Sequence, residues 1–321
     1  MEIGSFIEMQ FSKGMEYYSG NKNIARLNSG RAAIWHAYRM TRCSSIWIPY
    51  YQCETVREFL NRKNVKIKYY HIDLHFHPID LNPSKDEAVL IVNYYGIMSY
   101  DTIQTISCMY ENVIIDNSQA FFSTPIKHSI NVYSARKFIG VPDGAYVIGT
   151  DAEKYLAEYE QGFSSDTALF LLQRIEYGCE GKTYQTRTVN EQRIDTEDIM
   201  KMSKLTRTIL DGTDYEYIKE KRRENFSYAC RCFGAINMIN PEEYYDDSCV
   251  PMVYPLVVED EELLPKLLHA KHFQGHWWTW VLNSVGTNCF EKWISKYMIP
   301  ITIDQRYGVE ELDYLKEIIE K

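Results

Sequence analysis

The N-terminal half of the chain alternates short apolar runs with helical stretches, and this alternation restricts the folds that it can adopt. The runs are rich in β-branched and aromatic residues, and helical patterns such as residues 53–62 separate several of them. Strands that alternate with helices predict βαβ units and a mostly parallel sheet. The predicted strands are residues 45–49, 65–70, 88–93, 113–115, 131–134 and 145–148.

The second half of the chain has a different pattern. Residues 151–233 are mainly helical, with a polar break at about 181–195 and a long charged connecting helix at 215–233. We therefore expect an α/β fold with a large domain at residues 1–233 and a small α+β domain at residues 234–321, packed together because no low-complexity linker separates them. The predicted elements of the small domain are a strand at 253–258, a helix at 261–272, a strand at 299–303 and an amphipathic helix at 309–319.

The charge balance and the cysteine pattern argue against several classes of protein. The 321 residues include 35 Lys and Arg and 44 Asp and Glu, a formal net charge of −9, whereas nucleic-acid-binding proteins usually carry a basic surface. No run approaches the roughly 20 apolar residues that cross a membrane, and residues 1–11 lack the order of a signal peptide. The eight cysteines contain no Cys-x-x-Cys pair, and His75-x-His77 has no third ligand nearby, so no metal site is expected. We expect a cytoplasmic protein that binds neither nucleic acid nor a membrane.

Polar residues follow the predicted strands, at the points where the strands end. Asp116 follows the run 113–115, with Gln119 three residues later, and Ser134 and Lys137 follow the next strand. In an open parallel sheet, ligands bind at the carboxyl ends of the strands. We therefore expect these side chains to lie at one edge of the sheet, around a ligand.

The turn Asn28-Ser29-Gly30-Arg31 precedes an apolar-periodic run at 32–40, which predicts the start of a helix. Free N–H groups at a helix start favour a phosphate group. Pyridoxal phosphate (PLP) requires an anion cradle for its phosphate, a carboxylate for its pyridine nitrogen and a lysine for its aldehyde. The turn, Asp116 and Lys137 together supply this combination.

Three segments carry these residues: Asn28-Ser29-Gly30-Arg31, Ile115-Asp116-Asn117-Ser118-Gln119-Ala120, and the run from Tyr133 to Gly144 that contains Lys137. They resemble the DegT/DnrJ-type family of PLP-dependent aminotransferases, which have the aspartate-aminotransferase fold (fold type I). Many members act on nucleotide-linked keto sugars, for example for polysaccharide biosynthesis. The resemblance extends through most of the chain.

The resemblance implies a role for each of these residues. Lys137 would form the Schiff base with PLP, Asp116 would pair with the pyridine nitrogen, and Gln119 would lie near the ring hydroxyl group. The residues implied at the phosphate end of the cofactor are Ser29, Gly30, Arg31 and Ser134.

Several segments depart from the family pattern, and two of these departures concern candidate site residues. The ring that usually stacks on the cofactor is replaced by Cys53, four residues after Pro49, so Tyr51 or its neighbour Tyr50 is expected to take this role. The family's Gly-x-Asn-x-Arg segment, which reaches the phosphate of the partner subunit, is one residue longer here. The candidates in that segment are Asn190 and Arg193.

The resemblance implies an aminotransferase that moves an amino group from a donor such as glutamate to a keto group, in particular that of a nucleotide-linked sugar. It also implies a homodimer whose sites lie at the interface. Two alternatives stay open: another PLP reaction, such as dehydration, or a purely binding or regulatory protein. Family members that dehydrate sugars replace the lysine by histidine, so Lys137 argues against dehydration. Trp277-Trp278-Thr279-Trp280 is open to two interpretations: carbohydrate stacking, or a contact in the small-domain core or at a dimer interface. Tyr94-Tyr95-Gly96 is a candidate wall of the substrate site.

Overall fold

Ten strands and ten α-helices form the chain, which is described by a computed structural model over residues 3–321. The strands are β1 (Ile24–Leu27), β2 (Ser45–Pro49), β3 (Ile67–Ile72), β4 (Pro78–Ile79), β5 (Glu87–Val92), β6 (Asn112–Asn117), β7 (Ile130–Ser134), β8 (Ala145–Ile148), β9 (Val253–Val257) and β10 (Met298–Thr302). The helices are α1 (Gly30–Thr41), α2 (Glu54–Arg62), α3 (Tyr100–Ser107), α4 (Leu169–Tyr177), α5 (Gly181–Thr196), α6 (Lys204–Asp211), α7 (Tyr215–Phe233), α8 (Leu263–His269), α9 (Phe290–Tyr297) and α10 (Val309–Glu320).

The large sheet has eight strands in the order β1-β8-β7-β6-β5-β2-β3-β4. The five central strands, from β7 to β3, are parallel to one another, and antiparallel pairs close both ends of the sheet. The chain passes from β2 to β3 in one direction and then returns to place β5 on the other side of β2. Open α/β sheets bind ligands at such a reversal, outside the carboxyl ends of the strands.

The two faces of the sheet bury separate sets of side chains, as the alternation along β5 illustrates. Ala88 and Leu90 pack toward α1 and α2, whereas Val89 and Ile91 pack on the opposite face. That second face shares its core with the hairpin β9–β10 and with Phe233 at the end of α7. The C-terminal unit therefore packs directly on the sheet, and the end of α7 is where we propose to divide the two domains.

The structure confirms the predicted fold class, an α/β fold with a mostly parallel sheet and a small C-terminal α+β unit. The predicted polar break at 181–195 is wrong, since these residues form helix α5. Only three of the sixteen residues of α5 are buried, so its sequence lacks the apolar periodicity by which a helix is predicted. The sequence analysis also missed β1, β4, α3 and α9, which are short or lie at an edge. No helix in residues 3–321 is long and apolar enough to cross a membrane.

Candidate active site

The carboxyl ends of β2, β5, β6 and β7 meet at one edge of the sheet. This edge includes the reversal between β2 and β5. Asp116 is the penultimate residue of β6, and Ser134 ends β7 in the neighbouring strand. The chain thus places the predicted site residues of these two strands at the expected position.

The start of α1 forms a small cradle with two serine side chains. Ser29 is the N-cap of α1, with its hydroxyl oxygen accepting from the Ala32 N–H at 3.4 Å. A Cβ atom on Gly30 would lie 3.1 Å from Ser118 Oγ and 3.7 Å from Ser134 Cβ. Since the first N–H groups of a helix lack partners in the helix, hydroxyl groups beside them create a favourable place for an anion. Ser118 was missed by the sequence analysis, although it lies between Asp116 and Gln119.

Asp116 is a buried carboxylate that accepts hydrogen bonds only from neutral groups. It is 5% exposed, and its Oδ1 accepts from the Ser118 N–H at 2.9 Å. Its Oδ2 accepts from Gln52 Nε2 at 3.0 Å. No Lys, Arg or His in residues 3–321 forms an ion pair with it. A buried carboxylate is costly without a cation, so a ligand that presents a protonated nitrogen here would be stabilised.

Gln52 is a further site residue that the sequence analysis missed. It follows β2 and reaches past the end of β5 to Asp116 on β6. Its carbonyl oxygen accepts from Trp280 Nε1 at 2.8 Å, and its side-chain oxygen accepts from the Cys53 N–H at 2.8 Å. The amide is therefore fixed in the orientation that donates to the carboxylate.

Gln119 supports the sharp turn that follows β5. Its Oε1 accepts from the Tyr95 N–H at 2.8 Å, and Tyr95 has a left-handed backbone with φ 57°. Gly96 has φ 72°, and a Cβ there would lie 2.6 Å from the Gln119 carbonyl oxygen. This strained turn is held by surrounding contacts, as is common at functional sites.

Aromatic side chains form a wall beside these groups. The Tyr51 hydroxyl lies 2.7 Å from the Tyr95 hydroxyl, and the Tyr51 ring centroid lies 4.4 Å from that of Trp278. Trp277 packs against Tyr95 with ring centroids 5.8 Å apart. Burial raises the pKa of the Tyr51 hydroxyl well above its usual value. The two tryptophans belong to the small domain and contact its shared core, yet they also line this edge.

Lys137 ends a 3₁₀ turn, Ala135–Lys137, directly after β7. Its side chain is exposed in the single chain, and its ammonium group has no hydrogen-bond or ion-pair partner within residues 3–321. The next residue, Phe138, is buried and fixed. Its carbonyl oxygen accepts from Gln305 Nε2 at 2.9 Å, and the Arg222 guanidinium lies 4.5 Å from its ring centroid. These contacts anchor the turn while leaving the lysine free.

The other predicted residues, Arg31, Asn190 and Arg193, are engaged within the chain. Arg31 Nη1 pairs with Asp195 Oδ1 at 2.6 Å, which brings α5 against the start of α1. Asn190 Nδ2 donates to the Pro142 carbonyl oxygen at 2.9 Å, in the loop that follows Lys137. Arg193 pairs with Glu197 at 3.0 Å and also donates to Asn190. These contacts place α5 beside the start of α1 and the loop that follows Lys137.

Solved structures resemble this arrangement over nearly its whole length. A sugar aminotransferase from Micromonospora echinospora is 15% identical with a TM-score of 0.63, and the match covers 94% of this chain and 88% of that one. The fold is that of the DegT/DnrJ-type PLP-dependent aminotransferases. A DegT/DnrJ-type aminotransferase from Brucella abortus is 13% identical with a TM-score of 0.63, covering 94% of this chain and 86% of that one. An E. coli GDP-4-keto-6-deoxy-D-mannose-3-dehydratase with bound hydrated PLP is 15% identical with a TM-score of 0.62, covering 94% of this chain and 88% of that one.

No protein-family model matches the chain, and no curated protein matches it. The DegT/DnrJ-type fold is therefore established by three-dimensional similarity, at identities too low to carry residue roles across. The roles of individual residues rest on the geometry of this chain.

Proposed function

We propose that this chain is a PLP-dependent aminotransferase that transfers an amino group from a donor such as glutamate to a keto group on a sugar, in particular a nucleotide-linked sugar. One observation carries the proposal: a buried carboxylate without a cationic partner, Asp116, lies at the same sheet edge as an anion cradle at Gly30. A pyridinium ring with a phosphate group satisfies both. When bound, PLP supplies an electron sink that makes the Cα–H bond of an amino acid acidic.

Each residue at the edge has a task in this proposal. Asp116 would keep the pyridine nitrogen protonated, because its negative charge has no other cation to pair with. Ser118 and Ser134 would donate to the phosphate beside the N–H groups of α1. Gln119, whose side-chain oxygen is already bound to Tyr95, keeps its amide nitrogen available for the ring hydroxyl.

Lys137 would bind the cofactor through Nζ and then move a proton as a general acid and base. Its freedom from ion pairs supports this role, since an ammonium group held by a carboxylate would resist deprotonation. A lysine that must act on a bound amino acid also needs shelter from water. In the single chain the side chain is exposed, so another surface has to cover it.

We propose that a second copy of the chain provides this cover. Large apolar side chains are exposed on and around α4 and α5, among them Ile175, which is 80% exposed. A Cβ on Gly140, three residues after Lys137, would contact Leu171 of α4 at 3.8 Å, so this apolar surface adjoins the lysine turn. Exposed apolar patches of this kind mark protein–protein interfaces. The other exposed apolar residues of the patch are Phe163, Leu169, Leu172, Tyr177 and Tyr184.

The sugar acceptor is proposed on two grounds. Similar structures include a sugar aminotransferase and an enzyme acting on a GDP-linked keto sugar. The partly buried Trp277 and Trp278 lie beside Tyr51 and Tyr95 at the site edge, and indole faces are suited to packing against a sugar ring.

A spectral half-reaction screen tests the proposal. The protein is loaded with PLP, and glutamate should bleach the cofactor absorbance, which a panel of keto sugars should then restore. Lys137→Ala should abolish both changes, whereas Lys127→Ala, which alters another exposed lysine, should leave them intact. Cofactor colour that no amino donor bleaches would reject transamination.

A binding or regulatory role is the second candidate, and two contacts favour it. Gln52 already donates a hydrogen bond to Asp116 Oδ2, and the hydroxyl of Tyr51 is already hydrogen-bonded to that of Tyr95. A protein of this kind would take up PLP and keep its colour in the presence of every donor. The same screen therefore distinguishes the two candidates.

A further inference from the structure

We propose that His71, Cys289 and Glu291 form a binding site for a thiophilic divalent cation of the Zn²⁺ class. Their donor atoms all lie within 4.8 Å of one another. His71 belongs to β3 of the large sheet, while Cys289 and Glu291 lie at the start of α9 in the small domain. This site is separate from the proposed cofactor site and does not depend on it.

Glu291 is the residue that points to a missing ligand. It is 1% exposed, and only one of its oxygens has partners in the described chain. Oε1 accepts from the Ile72 N–H at 2.7 Å and lies 3.0 Å from His71 Nδ1. Oε2 has no hydrogen-bond donor within residues 3–321. The carboxylate is almost fully buried as a side chain and one of its oxygens accepts no hydrogen bond, so a cation bound at that oxygen would stabilise it.

The donor types match zinc better than other common cations. Imidazole nitrogen, thiolate sulfur and carboxylate oxygen are its three usual protein ligands, at about 2.0–2.3 Å. Magnesium and calcium prefer oxygen ligands only, so a cysteine would not serve them. Donors around a tetrahedral zinc ion lie roughly 3–4 Å apart, so the three side chains would have to adjust only slightly from their present spacing. Water would take the fourth position, and the Cys289 thiol would release its proton on binding.

The position of the cluster suggests what the ion would do. It would join β3 to α9 and thus clamp the small domain onto the edge of the sheet. The His71 ring also packs on Tyr50, with centroids 4.7 Å apart, and Tyr50 directly precedes Tyr51 in the aromatic wall. A bound ion would therefore hold the outer end of the edge that carries the proposed active site.

The competing explanation is a metal-free tether, in which the His71–Glu291 contact alone joins the two elements. Both explanations predict that changing Glu291 destabilises the protein. They differ over Cys289, which has no part in the tether. They also differ over the effect of added metal, which the tether does not use.

Cobalt titration of the full-length, metal-stripped protein tests the proposal, because a Co²⁺–thiolate bond gives a charge-transfer band and tetrahedral Co²⁺ gives intense visible bands. We expect one equivalent of Co²⁺ to produce both, and Zn²⁺ to displace it. Cys289→Ser should remove the charge-transfer band and weaken Zn²⁺ binding by at least tenfold, as His71→Asn should. The matched controls Cys108→Ser, at another cysteine, and His75→Asn, at another histidine of the same region, should bind Co²⁺ as the parent does.

Thermal unfolding with and without Zn²⁺ provides a second readout that does not depend on activity or on PLP. Zn²⁺ should raise Tm in the parent and in Cys108→Ser, but not in Cys289→Ser, which keeps the His71–Glu291 contact and should therefore still fold. The absence of a thiolate band in the parent, or a band that persists in Cys289→Ser, would overturn the proposal. An equal loss of binding in Cys108→Ser would do the same.

Discussion

The side chain of Gln52 donates a hydrogen bond to Asp116 at 3.0 Å, joining the end of β2 to the end of β6 past the intervening β5. Gln52 is neutral, so it orients the carboxylate without cancelling its charge. The backbone N–H of Ser118 does the same for the other oxygen. Asp116 is therefore held in place and remains available to a cation, which is the property that the proposed cofactor role requires.

Asp116→Asn is expected to keep the fold and to slow transamination by several orders of magnitude. The asparagine oxygen can still accept from the Ser118 N–H, but the side chain no longer stabilises a protonated pyridine nitrogen. Single-turnover spectra with glutamate would measure the rate. Asp101→Asn, at an exposed aspartate on α3, is the control and should react like the parent. A near-normal rate in Asp116→Asn would contradict the assignment.

Lys137 is expected to carry the cofactor. Borohydride reduction of the PLP-loaded protein, followed by peptide mapping, should find the added mass on the peptide that contains Lys137. The exposed side chain without an ion pair is consistent with such reactivity. Modification of any other lysine as the main product would end this assignment.

Gly30→Ala is expected to weaken PLP binding by about tenfold or more while leaving stability nearly unchanged. The added Cβ would lie 3.1 Å from Ser118 Oγ, inside the space proposed for the phosphate. A serine hydroxyl can rotate away, so the fold tolerates the methyl group better than the ligand does. Gly20→Ala is the control, since a Cβ there meets no atom within 4 Å. Fluorescence titration with PLP would compare the two variants, and equal affinities would argue against the cradle.

Parts of the fold that depend on local pattern could be predicted from the sequence. The boundaries of β2, β8 and α7 match the predicted ranges because apolar periodicity and flanking polar turns define them. The position of Asp116 and Ser134 at one sheet edge followed from parallel pairing alone. Contacts between distant segments could not be predicted in this way. Gln52 and Asp116 lie on different strands, and nothing in their local sequence indicates that they meet.

Contacts between the small domain and the sheet are even harder to predict from local sequence. His71 and Glu291 are 220 residues apart in sequence, and neither lies in a recognisable ligand motif.

Helix α5 was missed for a different reason: its polar composition predicts exposure, whereas its placement is set by contacts of Arg193, Asn190 and the Asp195–Arg31 pair. Such tertiary contacts override a weak local preference.

Ile175→Glu is expected to break the proposed homodimer. Sedimentation of the parent at micromolar concentration should give a mass near twice the 37.8 kDa of the chain, and the variant should sediment as a monomer. Ile175 is exposed, so a charge there costs little in the single chain but is unfavourable in an apolar interface. Ile236→Glu, at an exposed isoleucine outside the patch, is the control and should remain dimeric. A fully active monomeric parent would refute the dimer.

His272 is expected to make the protein less stable as the pH falls. It is 8% exposed, its Nε2 accepts from the Thr302 N–H at 3.3 Å, and burial lowers its pKa to about 4. In the unfolded chain the pKa of a histidine is about 6.5. Between about pH 6.5 and about pH 4, the unfolded state therefore binds a proton that the folded state does not bind. The free energy of unfolding should therefore fall by about 1.4 kcal/mol for each pH unit below about 6.5, and this contribution should level off below about pH 4.

Urea unfolding across this range would measure the effect as the difference between the parent and His272→Gln. The glutamine side-chain oxygen can still accept from Thr302, but the side chain does not titrate, so the variant should lose less stability as the pH falls. His128→Gln, at an exposed histidine, is the control and should keep the slope of the parent. Other acidic groups titrate equally in all three proteins and cancel in the comparison. If His272→Gln and the parent lose stability in parallel between about pH 6.5 and pH 4, the buried neutral histidine is not the cause of the acid sensitivity.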